Sequence, residues 1–513
     1  MTTQVLPAKS VVAVRVTYLW VFSLMLLAGG FVRVLHVLRD DFPLGDGGLF
    51  WAVTEGLRSD GYSLPSVVAY NGQDIPFAYP PLGFYLTALT GDAFGLSTLD
   101  VMRLLPLSFS LGTLVVFALM ARSVFQRNVE VLGAIFAFGM LPLASRYFLM
   151  GAGITRSPGL FFALLAIWQA YLYFKDRNSH RLPLVMLAGA ATVLSHPNAA
   201  WFAAYSILLL LIFYGRDRKA VVAALAIAVG TAVIAAPWWL TVLIDHGLDP
   251  FLAAPQASNP GTPAWVLLLK LQLTEEPMFP LLMFSALLGL IALVRDGKWW
   301  LPTWLVAACV LDTRYSGTFA MVPVALLAGV GLRVCIDLLL ESYESLQRPR
   351  RVALLCIPIW LGGLLLLASA FNPGPGLRAL PEHHRVAMQW IASNTPATSR
   401  FLVVGPAGLS AGSESEWFPV LAERPSVGTY QGTEWQSPEQ GLSPWERYNA
   451  LQGCATASAV CLEDWAESAH SSFTHVYVRE ENTEALRSSL GHSVAFALVY
   501  ESDGIWIFEH LVP

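Results

Sequence analysis

Apolar runs of about twenty residues, divided by short polar stretches, recur through the first 371 positions of the chain. This spacing predicts about eleven membrane-spanning helices, near 16–38, 104–122, 129–145, 157–174, 182–196, 199–214, 220–243, 277–294, 300–311, 317–336 and 352–371. The runs at 182–196 and 300–311 are short for a full bilayer, which suits tilted, re-entrant or protein-supported segments.

The pattern changes in two places. Residues 39–103 form the longest interruption within the apolar half, and a loop of that length is uncommon without a function. Within it Leu49, Phe50, Val53 and Leu57 recur at helical spacing, predicting an amphipathic helix over 47–58 lying at the membrane surface. A second helix is predicted to open after "AYPPLGFY" and run through Leu82, Tyr85, Leu86 and Leu89 toward Phe94, since proline suits a first helical turn. From residue 372, beginning with "NPGPG", no run can span a bilayer. "HHRVAMQWIASN" has helical periodicity, "RFLVVG" and "FTHVYVR" read as strands, and Asp503-Gly504 between two apolar runs signals a hairpin. The expected fold class is therefore a polytopic α-helical membrane protein (residues 1–371) with a C-terminal extracytoplasmic α/β domain (372–513).

Composition agrees. Hydrophobic residues make up 55% of the chain and charged residues only 13%, against about 25% charged in soluble domains. The net charge of −5 gives no sign of a nucleic-acid partner, and the five cysteines have no ligand-like spacing, so no zinc site is expected. Cys454 and Cys461, in an oxidising exterior, are either a disulfide or two free thiols. Basic residues collect in alternate loops (Lys9 and Arg15; Arg122 and Arg127; Lys175 to Arg181; Arg216 to Lys219; Arg295 and Lys298; Arg348 to Arg351), which puts those loops and the N-terminus in the cytoplasm. The long loop, the C-terminal domain and several charged helix ends then share the outer face. The first apolar run lacks a small-residue cleavage site followed by polar sequence, and reads as an uncleaved span.

Asp46, in "FPLGDGGLFWAVTEGL", stands where the long loop begins. Its position before a helix fits a plain N-cap equally well. Here the sequence resembles the GT-C superfamily of polytopic glycosyltransferases, particularly the branch of protein O-mannosyltransferases and lipid A aminoarabinose transferases. The resemblance covers about residues 10–340 and rests on a first span, the acid in "PLGDGG", two helices with "AYPPLGFY" opening the second, and Arg103-Leu104 entering the next span. It implies a polyprenyl-phosphate-linked sugar as donor, and a catalytic base at Asp46. Members commonly carry Asp-Glu where this chain has Asp46-Gly47-Gly48; Glu55, or Asp40 and Asp41, are the nearby acids that could stand in.

Such a transfer needs one base to deprotonate the acceptor hydroxyl, and cations to stabilise the departing phosphate. Arg156 in "GAGITRSPG", Arg314 in "LDTRYSGTFAMVP" and Arg103 are the candidate phosphate ligands, with Arg146 at similar depth; each also suits a snorkelling role. His196 in "LSHPNAAW", Tyr79, Glu55, and Glu275-Glu276 in "LQLTEEPMF" are candidates for substrate contact; the acidic pair equally suits a cap for the helix that Pro277 opens. No metal is expected to be required, a divalent ion being the alternative that oligosaccharyltransferases suggest. The expected function is an inverting glycosyltransferase on the outer face of a prokaryotic plasma membrane. It would act on a glycan, lipid or protein acceptor among the membrane lipids. A transporter and a non-catalytic polymer-binding envelope protein are the rival readings.

Overall fold

The computed structural model describes residues 8–253, 262–311, 317–344, 348–372, 374, 377–405, 412–433 and 443–511. Ten of the eleven predicted spans each overlap one helix. Among the described residues, six helices are long and apolar enough to cross a membrane: Val16–Leu38 within the first helix, Thr98–Val124, Gly153–Asp176, Pro197–Tyr214, Arg218–His246 and Met321–Glu341. Leu281–Arg295, Trp300–Leu311 and Ile359–Phe371 are shorter apolar helices, and Leu182–Val193 has twelve residues.

The run expected as one span over 129–145 is broken instead. Helix Asn128–Met140 stops before Leu141, and the chain turns through 85° into Pro142–Leu149. Pro142 has no N–H to continue the ladder, and the residue before it is held extended, with φ −67° and ψ 119° at Leu141. Arg33 of the first helix closes the same corner from within. Fully buried, it donates to the carbonyls of Gly29, Phe138 and Gly139 and to the Ser110 hydroxyl. The break carries Arg146 and Tyr147 sideways across the end of the bundle, toward the long loop.

That loop holds helices Gly48–Ser59 and Leu82–Phe94, joined by a hairpin of β1 (Val67–Tyr70) and β2 (Gln73–Pro76) turning at Asn71-Gly72. The C-terminal part adds β3 (Phe401–Val404), β4 (His475–Arg479), β5 (Phe496–Ser502) and β6 (Ile505–His510) in the order β3-β4-β6-β5. β3 and β4 run parallel and the other pairs antiparallel. Helix Glu382–Asn394 and the hairpin at Asp503-Gly504 stand where periodicity predicts them, and Cys454 and Cys461 form a disulfide.

Strand residues alternate between two faces, and both faces of this sheet are used. Leu402, Val404, Val476 and Val478 pack with the domain's own Leu486 and Leu490. Phe401, Val403, Tyr477 and Ile507 pack instead into a core with Leu49, Val53, Leu57, Val68 and Phe84 of the long loop. The apolar face of helix 48–59, expected on the membrane surface, is therefore buried against protein. Burying Leu57 and its neighbours contributes roughly 1.5–3 kcal/mol per side chain, so the sheet domain and the loop are fused through one core.

Candidate active site

Leu44 pairs with Ala379 in an isolated bridge, Gly45 N–H donates to the Arg378 carbonyl at 2.8 Å, and Trp417 Nε1 donates to the Gly45 carbonyl at 3.2 Å. Gly47 has φ +141°, a conformation that side-chain-bearing residues rarely adopt. The chain after Asp46 thus turns in the one way that lets helix 48–59 start against Trp417.

Asp46 is not the cap of that helix. Gly47 occupies the cap position, with no side-chain cap bond. The carboxylate points toward the N-terminal end of helix Gly153–Asp176, where Oδ1 accepts from Ala152 N–H at 3.1 Å and Oδ2 from Arg156 Nη2 at 2.6 Å. Arg156 in turn lies over the Tyr147 ring, 4.2 Å from its centroid, and its Nη1 is 3.7 Å from the thioether of Met150. A thioether is a weak acceptor, so an incoming oxyanion would displace it readily. Asp46 and Met150 line a cavity of about 570 Å³ whose other wall is the sheet domain, including Glu416, Gln431 and Arg479.

The backbone here is closely stacked. A Cβ on Gly151 would lie 1.9 Å from the Asp46 carbonyl oxygen, while Gly151 N–H donates to the Leu44 carbonyl at 2.7 Å. Gly151→Ala is expected to destabilise the protein by roughly 1–3 kcal/mol through overpacking and to displace Asp46. Thermal unfolding and turnover measured on the same preparation check this; a variant unchanged in both would contradict the packing.

The other sequence candidates divide. His196 opens helix Pro197–Tyr214, accepting from Ala199 N–H at 3.4 Å, and its ring lies 6.4 Å from Tyr147 and 6.5 Å from Tyr79. The Tyr79 hydroxyl is 3.4 Å from Thr155 Oγ1, next to Arg156. Tyr79 and His196 thus join Asp46 and Arg156 through Tyr147. Arg103, Asp41, Glu55, Glu275 and Glu276 are held by other partners. Arg103 binds the Asp40 carbonyl, Asp41 pairs with Arg385 at 3.0 Å, and Glu55 is bound by Arg58 at 2.7 Å and by Thr98. Glu275 pairs with Arg146 at 2.8 Å. Glu276 caps the start of helix Leu281–Arg295 through the N–H groups of Leu282 and Met283, at 2.9 and 3.1 Å. Arg314 lies outside the described residues.

Two side chains at the site were absent from the sequence candidates. Tyr147 is adjacent to Arg146 and close to "GAGITR", which is a usable local signal. Glu416 has none. It sits 370 positions after Asp46, on helix Ser413–Leu421, and its Oε1 accepts from Gly47 N–H at 3.1 Å. The second acid near Asp46 is therefore brought by the sheet domain. At Gly47 itself the backbone conformation, with Met102 Cε 2.7 Å from any added Cβ, leaves no room for one.

No protein-family model matches the sequence, and no curated protein matches it significantly. Solved structures do match. ArnT from Cupriavidus metallidurans, bound to undecaprenyl phosphate, aligns over 98% of both chains at 15% identity and a TM-score of 0.56. The Archaeoglobus fulgidus oligosaccharyltransferase AglB, in complex with an inhibitory peptide and a dolichol-phosphate, aligns over 90% of this chain and 69% of its own at 14% identity and a TM-score of 0.54. The mycobacterial arabinofuranosyltransferase AftD covers 95% of this chain with 40% of its own, at 14% identity and a TM-score of 0.51. All three are GT-C membrane glycosyltransferases. The chain has the GT-C fold and is a multi-pass membrane protein.

Proposed function

We propose that the protein is an inverting glycosyltransferase that moves a sugar from a polyprenyl-phosphate donor to an acceptor hydroxyl on the extracytoplasmic side of the membrane. The observation that carries this reading is Asp46: a carboxylate on the wall of a cavity, its two oxygens oriented by Ala152 N–H and Arg156. The lipid phosphates bound by two proteins of the same fold support a donor of that class.

In this mechanism the acceptor hydroxyl enters the cavity beside Asp46. Its oxygen attacks the anomeric carbon as Asp46 takes its proton, the new carbon–oxygen bond forms, and the bond to phosphate breaks on the opposite face. The electron pair leaves with the lipid phosphate. Arg156 meets that growing charge, exchanging its weak contact with Met150 for a phosphate oxygen while Tyr147 holds its plane. Its attraction increases along the reaction, which is what lowers the barrier. Tyr79 and His196 are assigned to the sugar, and the sheet domain to the acceptor.

The test is mass spectrometry of the purified protein for bound isoprenoid lipid, followed by release of label from polyprenyl-phosphate sugars in lipid nanodiscs. Label crossing sealed vesicles without release would instead mark a transporter, and the absence of both would leave a binding protein. No divalent ion is assigned to the reaction, because Arg156 already supplies the cation at Asp46. Turnover is expected to survive excess EDTA; loss reversed by manganese or magnesium would overturn that assignment.

A further inference from the structure

The cavity wall opposite Asp46 carries chemistry that proton and phosphate transfer leave unused. Six carboxylates line the space, from Asp46, Glu414, Glu416, Glu480, Glu481 and Asp503, against the two guanidiniums of Arg378 and Arg479. Arg479 is already tied to Glu414 at 2.8 Å. His384 adds no offsetting charge near neutral pH: burial pushes its pKa down to about 4, and its Nδ1 lies 2.7 Å from the Tyr477 hydroxyl. A second feature points to a ligand. Gln431 lines the cavity and is only 7% exposed, yet its side-chain oxygen Oε1 has no hydrogen-bond partner among the described residues. Buried amide oxygens are normally satisfied, so this one lacks a donor.

Carboxylates and an open amide oxygen are all acceptors, and they select a ligand rich in hydroxyl or ammonium donors. A phosphorylated group would bring further negative charge into a space where like charges already face each other. We infer that this cavity is the acceptor subsite and takes a polyhydroxylated acceptor that is neutral or bears an amine, and that it rejects phosphorylated acceptors. The assignment rests on the glycosyltransferase reading, but its test is by binding and needs no turnover.

The full chain in zwitterionic nanodiscs would be titrated at low salt with three matched probes: maltotriose, a glucosamine trimer and a phosphorylated maltotriose. The first two are expected to bind, and the phosphorylated probe at least about tenfold more weakly. Gln431→Leu should weaken the first two, and Gln431→Glu, which keeps the volume, should shift preference further toward the amine. Glu480→Gln with Asp503→Asn should narrow the discrimination against phosphate. Phosphorylated probe binding as tightly as maltotriose, no probe binding at all, or affinities unmoved in both Gln431 variants would each overturn the inference. Binding that follows these expectations while label release from the donor is absent would instead count against the transferase chemistry alone.

Discussion

Asp46→Asn is expected to lower turnover by roughly 10²–10⁴, the usual contribution of a positioned general base, while the donor still binds. The carboxamide has nearly the size of the carboxylate it replaces, but it cannot take the acceptor proton. It also cannot satisfy both present partners. Its single oxygen can accept from Ala152 N–H or from Arg156 Nη2, and the amide nitrogen is then left facing the other donor. Asp46→Glu keeps the acid and moves it outward by one methylene. Near-attack geometry tolerates about 1 Å poorly, so a loss of roughly 10²-fold is expected there too. The predicted order of kcat is native, then Glu, then Asn, with the donor KM little changed. Single-turnover rates at saturating donor check it. An Asn variant within tenfold of the native rate would remove Asp46 from the chemistry.

The ambiguity over Asp46 shows where reading the sequence stops. Acid before a helix is what a cap looks like, and no local pattern separates that from a base. What holds the carboxylate away from a capping role lies 106 and 110 positions on, at Ala152 N–H and Arg156, just beyond the broken third span. That break was written in Leu141-Pro142, yet the apolar run concealed it because hydropathy averages over a single proline. Spans, the sheet domain and the Asp503-Gly504 hairpin were legible because each is set by local periodicity and turn chemistry. The hairpin at Asn71-Gly72 carries a comparable turn signal, but its strands have four residues each, too few for an alternating pattern to stand out. Leu49, Val53 and Leu57 gave the helix but not its partner. An apolar stripe specifies burial, and either lipid or a sheet satisfies it. Glu416 illustrates the limit most plainly, because its meeting with Gly47 depends on docking two distant parts through the shared core around Trp417.

Arg156→Lys should be nearly as damaging as loss of Asp46, even though the charge is kept. Contacts of the guanidinium include Nη2 to Asp46 at 2.6 Å, Nη1 to Met150 at 3.7 Å, and the Tyr147 ring, whose centroid lies 4.2 Å from Cζ. An ammonium is a compact point charge and cannot bridge a carboxylate and a phosphate with separate donors while also packing over an aromatic ring. With lysine present, the charge stays with whichever anion it reaches, and either the base loses its orientation or the leaving group loses its counter-charge. Removing one such donor at a developing oxyanion costs roughly 10²–10³ in kcat, which is the loss expected for lysine, with weaker inhibition by polyprenyl phosphate alongside it. Arg156→Ala should lose at least as much and recover part of its rate when guanidinium is added to the assay, because the vacated space beside Tyr147 fits that ion and not an ammonium. A lysine variant with native turnover and native inhibition by the lipid phosphate would show that Arg156 serves only to anchor the loop.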